Sequence, residues 1–143
     1  MPAAATYPLR RAVLRGGDPE AEVRYEGDDL PTAVHLVALD GADAVVACAT
    51  LFPAPTERFG PNAWRLRGMA VAPSLQGTGV GRELLDEAVR RVRAEGADVI
   101  WADGRDTALG FYEREGWRVE GDGYDVPVGT GTIPHHLVVL ELA

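Results

Sequence analysis

Glycines at positions 77, 79 and 81 stand between a strand-like run and a helical period, in the segment Val71-Ala72-Pro73-Ser74-Leu75-Gln76-Gly77-Thr78-Gly79-Val80-Gly81-Arg82. Without side chains, the backbone there can turn tightly and come close to a ligand. Amides of such a loop and of the first helical turn lack intrahelical acceptors. With the helix dipole they make a site for an anion such as a pyrophosphate. Three arrangements compete for this segment. A dinucleotide fingerprint requires Gly-x-Gly-x-x-Gly in an N-terminal βαβ unit, whereas the spacing here is Gly-x-Gly-x-Gly after what reads as a meander. A phosphate-binding P-loop requires Gly-Lys-Ser/Thr. The third is a tight strand-to-helix turn with no ligand, a common false positive for isolated glycine-rich turns.

All 14 basic residues are arginine, so the P-loop lysine and Schiff-base catalysis are both excluded. The 22 acidic residues leave a net charge of −8, which repels phosphate backbones and argues against a nucleic-acid partner. No metal site is expected. The N-terminus lacks the charged and apolar regions of a signal peptide. Apolar runs such as residues 44–52 are half the length of a membrane span. Cys48 is a lone cysteine. A cytoplasmic location with no membrane partner is therefore expected.

The elements that must position the loop follow from periodicity. Pro8, Leu9, Ala12, Val13 and Leu14 predict a short amphipathic helix, stopped by Gly16-Gly17-Asp18-Pro19. Two apolar runs, residues 33–39 and 44–52, predict strands joined by the turn Asp40-Gly41-Ala42-Asp43. Residues 53–62 form a proline-rich loop and 64–72 a third strand. Val80, Leu84, Leu85, Ala88, Val89 and Val92 make one helical stripe, with Gly96 as its C-terminal cap. A short strand is expected at 99–102, a second helix at about 106–115 closed by Gly116, and strands at 117–120 and 133–142. The glycine-rich segment 121–132 would link the last two. The whole reads as a single α/β (α+β) domain over residues 1–143, with helices packed on a mixed, mostly antiparallel sheet.

Gln76-Gly77-Thr78-Gly79-Val80-Gly81 resembles the Arg/Gln-x-x-Gly-x-Gly/Ala signature of the GNAT superfamily of N-acetyltransferases. Leu66-Arg67-Gly68-Met69-Ala70-Val71-Ala72-Pro73 looks like that family's fourth strand. Ala108-x-x-Phe111-Tyr112-x-x-x-Gly116-Trp117 looks like its motif B, with Trp in place of the usual Phe. The resemblance covers roughly residues 33–143. It implies transfer of an acetyl group from acetyl-CoA to a primary amine of a small molecule or peptide by direct attack. It also implies that the strands at 64–72 and 99–102, the family's fourth and fifth, splay apart to admit the pantetheine arm. Met69, Ala70 and Val71 would then bind that arm, an amide around Ala70 or Val71 would stabilise the oxyanion, and the amides of Gln76, Gly77, Thr78, Gly79, Val80, Gly81 and Arg82 would hold the pyrophosphate. A non-catalytic acyl-CoA-binding or interaction protein on the same fold is the alternative, and a homodimer stays open.

Tyr112 matches the family tyrosine whose phenol protonates the departing thiolate; a phenol with an ordinary value of ~10 stays a proton donor at neutral pH. Glu57, Asp103, His135 and His136 are candidates for the base. Strand alternation lets only one of the adjacent histidines face the cleft. Pro134-His135 is similar to a Pro-His element in some relatives, which favours His135, with Asp103 expected nearby. His35, inside an apolar run, reads as structural. Relatives often carry Asn after the fifth strand, where this chain has Asp103, and that puts acceptor contacts there in doubt. The acidic balance favours a cationic acceptor such as a polyamine, an aminoglycoside or a basic peptide. If the face of their strand that Arg65 and Arg67 share is the cleft, they suit an acceptor bearing a carboxylate; a solvated charged surface that says nothing of the acceptor is the favoured reading of the charge, and the substrate stays open.

Overall fold

Alternating apolar residues fold six strands into one sheet, as described for residues 1–18, 20–128 and 131–142 in the computed structural model. The strands are β1 (Val34–Leu39), β2 (Val45–Pro53), β3 (Ala63–Val71), β4 (Val99–Arg105), β5 (Arg118–Val128) and β6 (Gly131–Glu141). Their order is β1-β2-β3-β4-β6-β5; β3 and β4 run parallel, and every other neighbouring pair is antiparallel. The stripe predicted for the long helix is its buried face. Helix α2 (Val80–Ala94) presses Leu84, Leu85, Ala88 and Val92 onto Leu36, Leu51, Leu66 and Ile100 of the sheet. Gly96 closes it as expected, with the Ala97 amide reaching back to the Val92 carbonyl. Helix α3 (Leu109–Arg114), entered through a 3₁₀ turn at Asp106–Ala108, packs Tyr112 between Phe111 and Trp117.

Three expectations are corrected. Strand β4 runs on to Arg105, because Asp103, Gly104 and Arg105 keep pairing with Leu137, His136 and His135 of β6; their glycine and charges hid the strand. Most of the supposed linker at 121–132 belongs to the β5–β6 hairpin, with Gly129 and Thr130 outside the described residues. Gly121 and Gly123 lie in a bulge. Glu120 faces Leu137 and Tyr124 faces His135, so residues 121–123 of β5 are set against His136 alone. The N-terminal helical stretch begins earlier than Pro8, at Ala3, and changes pitch from 3₁₀ (Ala3–Thr6) through helix α1 (Tyr7–Leu9) to a π turn (Arg10–Leu14). That change of pitch turns Arg10 inward and leaves Ala12 exposed. Pro19 of the expected stop lies outside the described residues.

Arg10 is fully buried. Its guanidinium donates to both carboxylate oxygens of Asp28 at 2.8 and 2.9 Å, to the Val23 carbonyl at 2.7 Å and to the Thr50 hydroxyl at 2.7 Å, and it lies 4.1 Å from the Tyr25 ring. Thr50 in turn donates to His35 Nδ1 at 2.8 Å, so His35 Nε2 carries the hydrogen and gives it to the Asp28 carbonyl at 2.9 Å. This network ties the N-terminal segment and the 20–32 loop to β1 and β2, and it gives His35 the structural place expected of it. Burial pushes the Cys48 thiol up to about 11, which leaves it protonated and inert.

Burial alone would raise the Asp28 carboxyl, but hydrogen bonds from Arg10 and the Tyr25 amide outweigh it and hold it below the ordinary value. A depressed carboxyl stabilises the fold above its unfolded value of about 3.9, and that contribution is lost as pH falls through the lower folded value. Asp28→Asn leaves a buried guanidinium without its counter-charge and should cost about 3–5 kcal/mol at neutral pH. Urea unfolding at neutral pH and below pH ~4 checks both parts: the gap between the two proteins should narrow in acid. Equal stability at neutral pH would contradict the network's role.

Candidate active site

The cavity begins with a bulge in β3. Thr50 pairs with Arg67 and Cys48 with Ala70, so Gly68 and Met69 together face Ala49. Gly68 adopts φ +63°, and a Cβ there would lie 2.8 Å from both Arg10 Nε and the Tyr25 ring. The bulged strand bends. Strand β3 pairs with β4 only from Ala63↔Val99 to Arg65↔Trp101, while β4 stays paired to β6 as far as Arg105↔His135. Beyond Arg65 the two parallel strands separate, and a cavity of about 870 Å³ opens between residues 66–71 and 102–105.

The backbone facing this wedge has a definite polarity. The Ala72 amide donates to Val46 of β2 at 2.8 Å. Strand alternation sends the Ala70 amide to β2 as well and turns that of Val71 towards the wedge. The Val71 carbonyl, on that same side, accepts a hydrogen bond from the Gln76 side chain at 3.1 Å. Of the expected pair, Val71 therefore has the free amide and Ala70 does not.

At one end of the cavity lies the glycine loop. The amides of Gln76 and Thr78 turn back to Pro73 and Leu75, closing the 3₁₀ turn Pro73–Leu75. Among the described residues, those of Gly77, Gly79, Val80, Gly81 and Arg82 have no backbone acceptor. Gly79 caps α2 at φ +93°, a conformation that opens the first turn outward. The cavity is lined by Met69, Ala70, Val71, Gln76, Gly77, Gly79, Gly81 and Arg82. Thr78 and Val80 are not among its lining residues: the Thr78 hydroxyl bonds the Leu75 carbonyl, and Val80 packs against the core.

Tyr112 lines the wedge from α3, 7 % exposed and with no hydrogen-bond partner for its hydroxyl among the described residues. Burial pushes its phenol up to about 12. His135 lines the cavity and His136 does not. Because the Ile133 carbonyl 2.7 Å from His135 Nδ1 can only accept, that nitrogen carries the hydrogen and Nε2 is left as the acceptor. His136 is held by Asp106 at 2.7 Å on the other face. Asp103 accepts from Arg65 at 2.7 Å and from the Tyr124 hydroxyl, so it is engaged with these and not with His135. Glu57 is exposed and away from the cavity. Sequence reasoning missed Tyr25 and Arg105, both cavity-lining, because nothing in their local pattern marks a site.

The family model for the acetyltransferase (GNAT) family matches residues 4–117. The chain belongs to the GNAT family of acetyltransferases. It is similar to the uncharacterized N-acetyltransferase YitI of Bacillus subtilis (strain 168), with 28% identity over 95% of this chain and 89% of that protein. A crystal structure of a candidate N-acetyltransferase from Lactobacillus plantarum superposes with TM-score 0.79 at 25% identity, over 99% of this chain and 91% of the other. An aminoglycoside 6'-N-acetyltransferase complexed with coenzyme A shares the fold at TM-score 0.69 and 18% identity, over 95% and 89% of the two chains. The family makes this GNAT protein an N-acetyltransferase enzyme. The mixed, mostly antiparallel sheet flanked by helices agrees with the fold the sequence implied. No helix among the described residues is long and apolar enough to cross a membrane.

Replacing Gly68 by Ala adds a left-handed backbone cost of about 1–2 kcal/mol and a clash with Arg10 and Tyr25. Gly96, at φ +93° with nothing within 4 Å of its Cβ position, isolates the backbone part. Gly68→Ala should therefore lower the melting temperature more than Gly96→Ala in thermal unfolding. Equal losses would mean that the packing around the bulge is slack.

Proposed function

We propose that this GNAT enzyme moves an acetyl group from acetyl-CoA to a primary amine of a small molecule or peptide by direct attack. The observation that carries the reading is a single cavity joining the unpaired amides of the glycine loop, the free Val71 amide and the Tyr112 hydroxyl. These residues fit the cosubstrate chemically. The loop amides and the α2 dipole suit a pyrophosphate, and the open edge of β3 offers strand-like hydrogen bonds to an extended amide-bearing arm. Acetyl-CoA supplies the activated acyl group as a thioester.

In this reading the Val71 amide donates to the thioester oxygen where negative charge develops. His135 Nε2 takes the proton that the amine loses on forming its new N–C bond. Tyr112 donates a hydrogen bond to the departing sulfur. A phenol at about 12 is fully protonated at neutral pH. Tyr112 acts as a hydrogen-bond donor that stabilises charge on sulfur, and the proton that His135 takes from nitrogen passes on through solvent to restore the thiol.

Tyr112→Phe removes that donor and little binding surface. In thiol-release assays kcat should fall about 100-fold or more, while the rise in melting temperature produced by acetyl-CoA stays intact. Unchanged turnover would contradict the assignment.

A further inference from the structure

The cavity is strongly basic in a chain whose net charge is −8. Six arginines line it (Arg15, Arg65, Arg67, Arg82, Arg105 and Arg114) against two acids, Asp103 and Glu115. Both acids are already paired with arginines of the same cavity: Asp103 with Arg65 at 2.7 Å, and Glu115 with Arg82 at 3.6 Å. No carboxylate among its described lining residues is left to receive a cationic acceptor.

The other four arginines, Arg15, Arg67, Arg105 and Arg114, have no ion-pair partner among the described residues. Arg67 is half-buried, its guanidinium 4.0 Å over the Tyr25 ring, with no ion-pair partner among the described residues. Arg105 is also half-buried, and its one hydrogen bond among the described residues goes to the Leu14 carbonyl at 2.7 Å. Partial burial lowers both guanidinium values, Arg65 adding to the effect at Arg67 and Arg15 at Arg105. Desolvation of a guanidinium that has no ion pair is unfavourable for the empty protein and is relieved when an anion enters. Arg105 is paired across the sheet with His135, which sets this anion site beside the nitrogen assigned to accept the amine's proton.

Resting on the function proposed above, we infer that the acceptor amine carries an oxyanion, a carboxylate or a phosphate, held by the cavity-lining arginines Arg67 and Arg105. The net negative charge of the chain then reports its outer surface and not its substrate. Cationic acceptors such as polyamines and aminoglycosides are disfavoured at this site.

The test is thiol release from acetyl-CoA with matched amines: amino acids and short peptides, their carboxamides, their decarboxylated counterparts, and aminoalkyl phosphates. Oxyanion-bearing amines should be preferred in kcat/KM by about 10- to 100-fold, the value of a charged hydrogen bond; the carboxylate and phosphate arms say which anion is used. Arg67→Gln and, separately, Arg105→Gln should erase that preference mainly through KM, while acetyl-CoA still raises the melting temperature of each variant. Equal or better turnover of neutral or cationic amines by the unmodified protein would overturn the inference and leave acetyl transfer standing. So would variants that slow acids and amides alike. Absence of any acetyl-CoA-induced stabilisation would overturn the proposed function and this inference together.

Discussion

Parallel strands stay hydrogen-bonded only while they share a direction, and in this protein one of them bends. Gly68 takes a left-handed conformation that places two β3 residues opposite one on β2, and beyond Arg65 β3 and β4 are no longer partners. Everything in the site depends on that separation. It leaves the Val71 amide without a strand acceptor, opens the cavity, and lets α2 and α3 bring the glycine loop and Tyr112 to the same space. The bend is held from behind by the buried Arg10–Asp28 pair and by Tyr25, which fill the volume a side chain at position 68 would need. A buried ion pair is a weak source of stability but a strong constraint on geometry, since removing one partner strands the other.

The helices and the glycine loop were legible because their signals are local. The stripe from Val80 to Val92 and the caps at Gly79 and Gly96 follow from backbone rules, and the motif around Gln76 and Tyr112 carried the family. The strands that build the cavity's far wall were less legible. Asp103, Gly104 and Arg105 extend β4, and residues 121–128 extend β5, although their composition reads as turn. Pairing with β6 overrides it. Long-range pairing of this kind has no local signature.

The same limit explains the site residues that sequence reasoning missed. Arg10 sits in an apolar-looking helical segment, and its inward turn depends on the π step that follows α1. Tyr25 and Arg105 lie 80 positions apart in a chain of 143 residues and line one cavity, where Arg105 also bonds the Leu14 carbonyl of the N-terminal segment. Net charge also misleads when read over the whole chain: the acidic surface and the arginine-lined cavity are opposite fields on one molecule. For an acyltransferase, the inner field acts on the acceptor at the moment of attack, and the outer one acts only on its approach.

The central claim is that the wedge between β3 and β4 receives the acyl donor along the open edge of β3. Residue-resolved hydrogen exchange, with and without acetyl-CoA, tests it directly. The Val71 amide should exchange readily in the free protein and become protected when acetyl-CoA binds, while the Ala70 amide, turned to β2, is protected in both states. If Val71 exchanges at the same rate with and without ligand, or if protection is confined to the glycine loop, the wedge is not the binding slot and the account fails at its root.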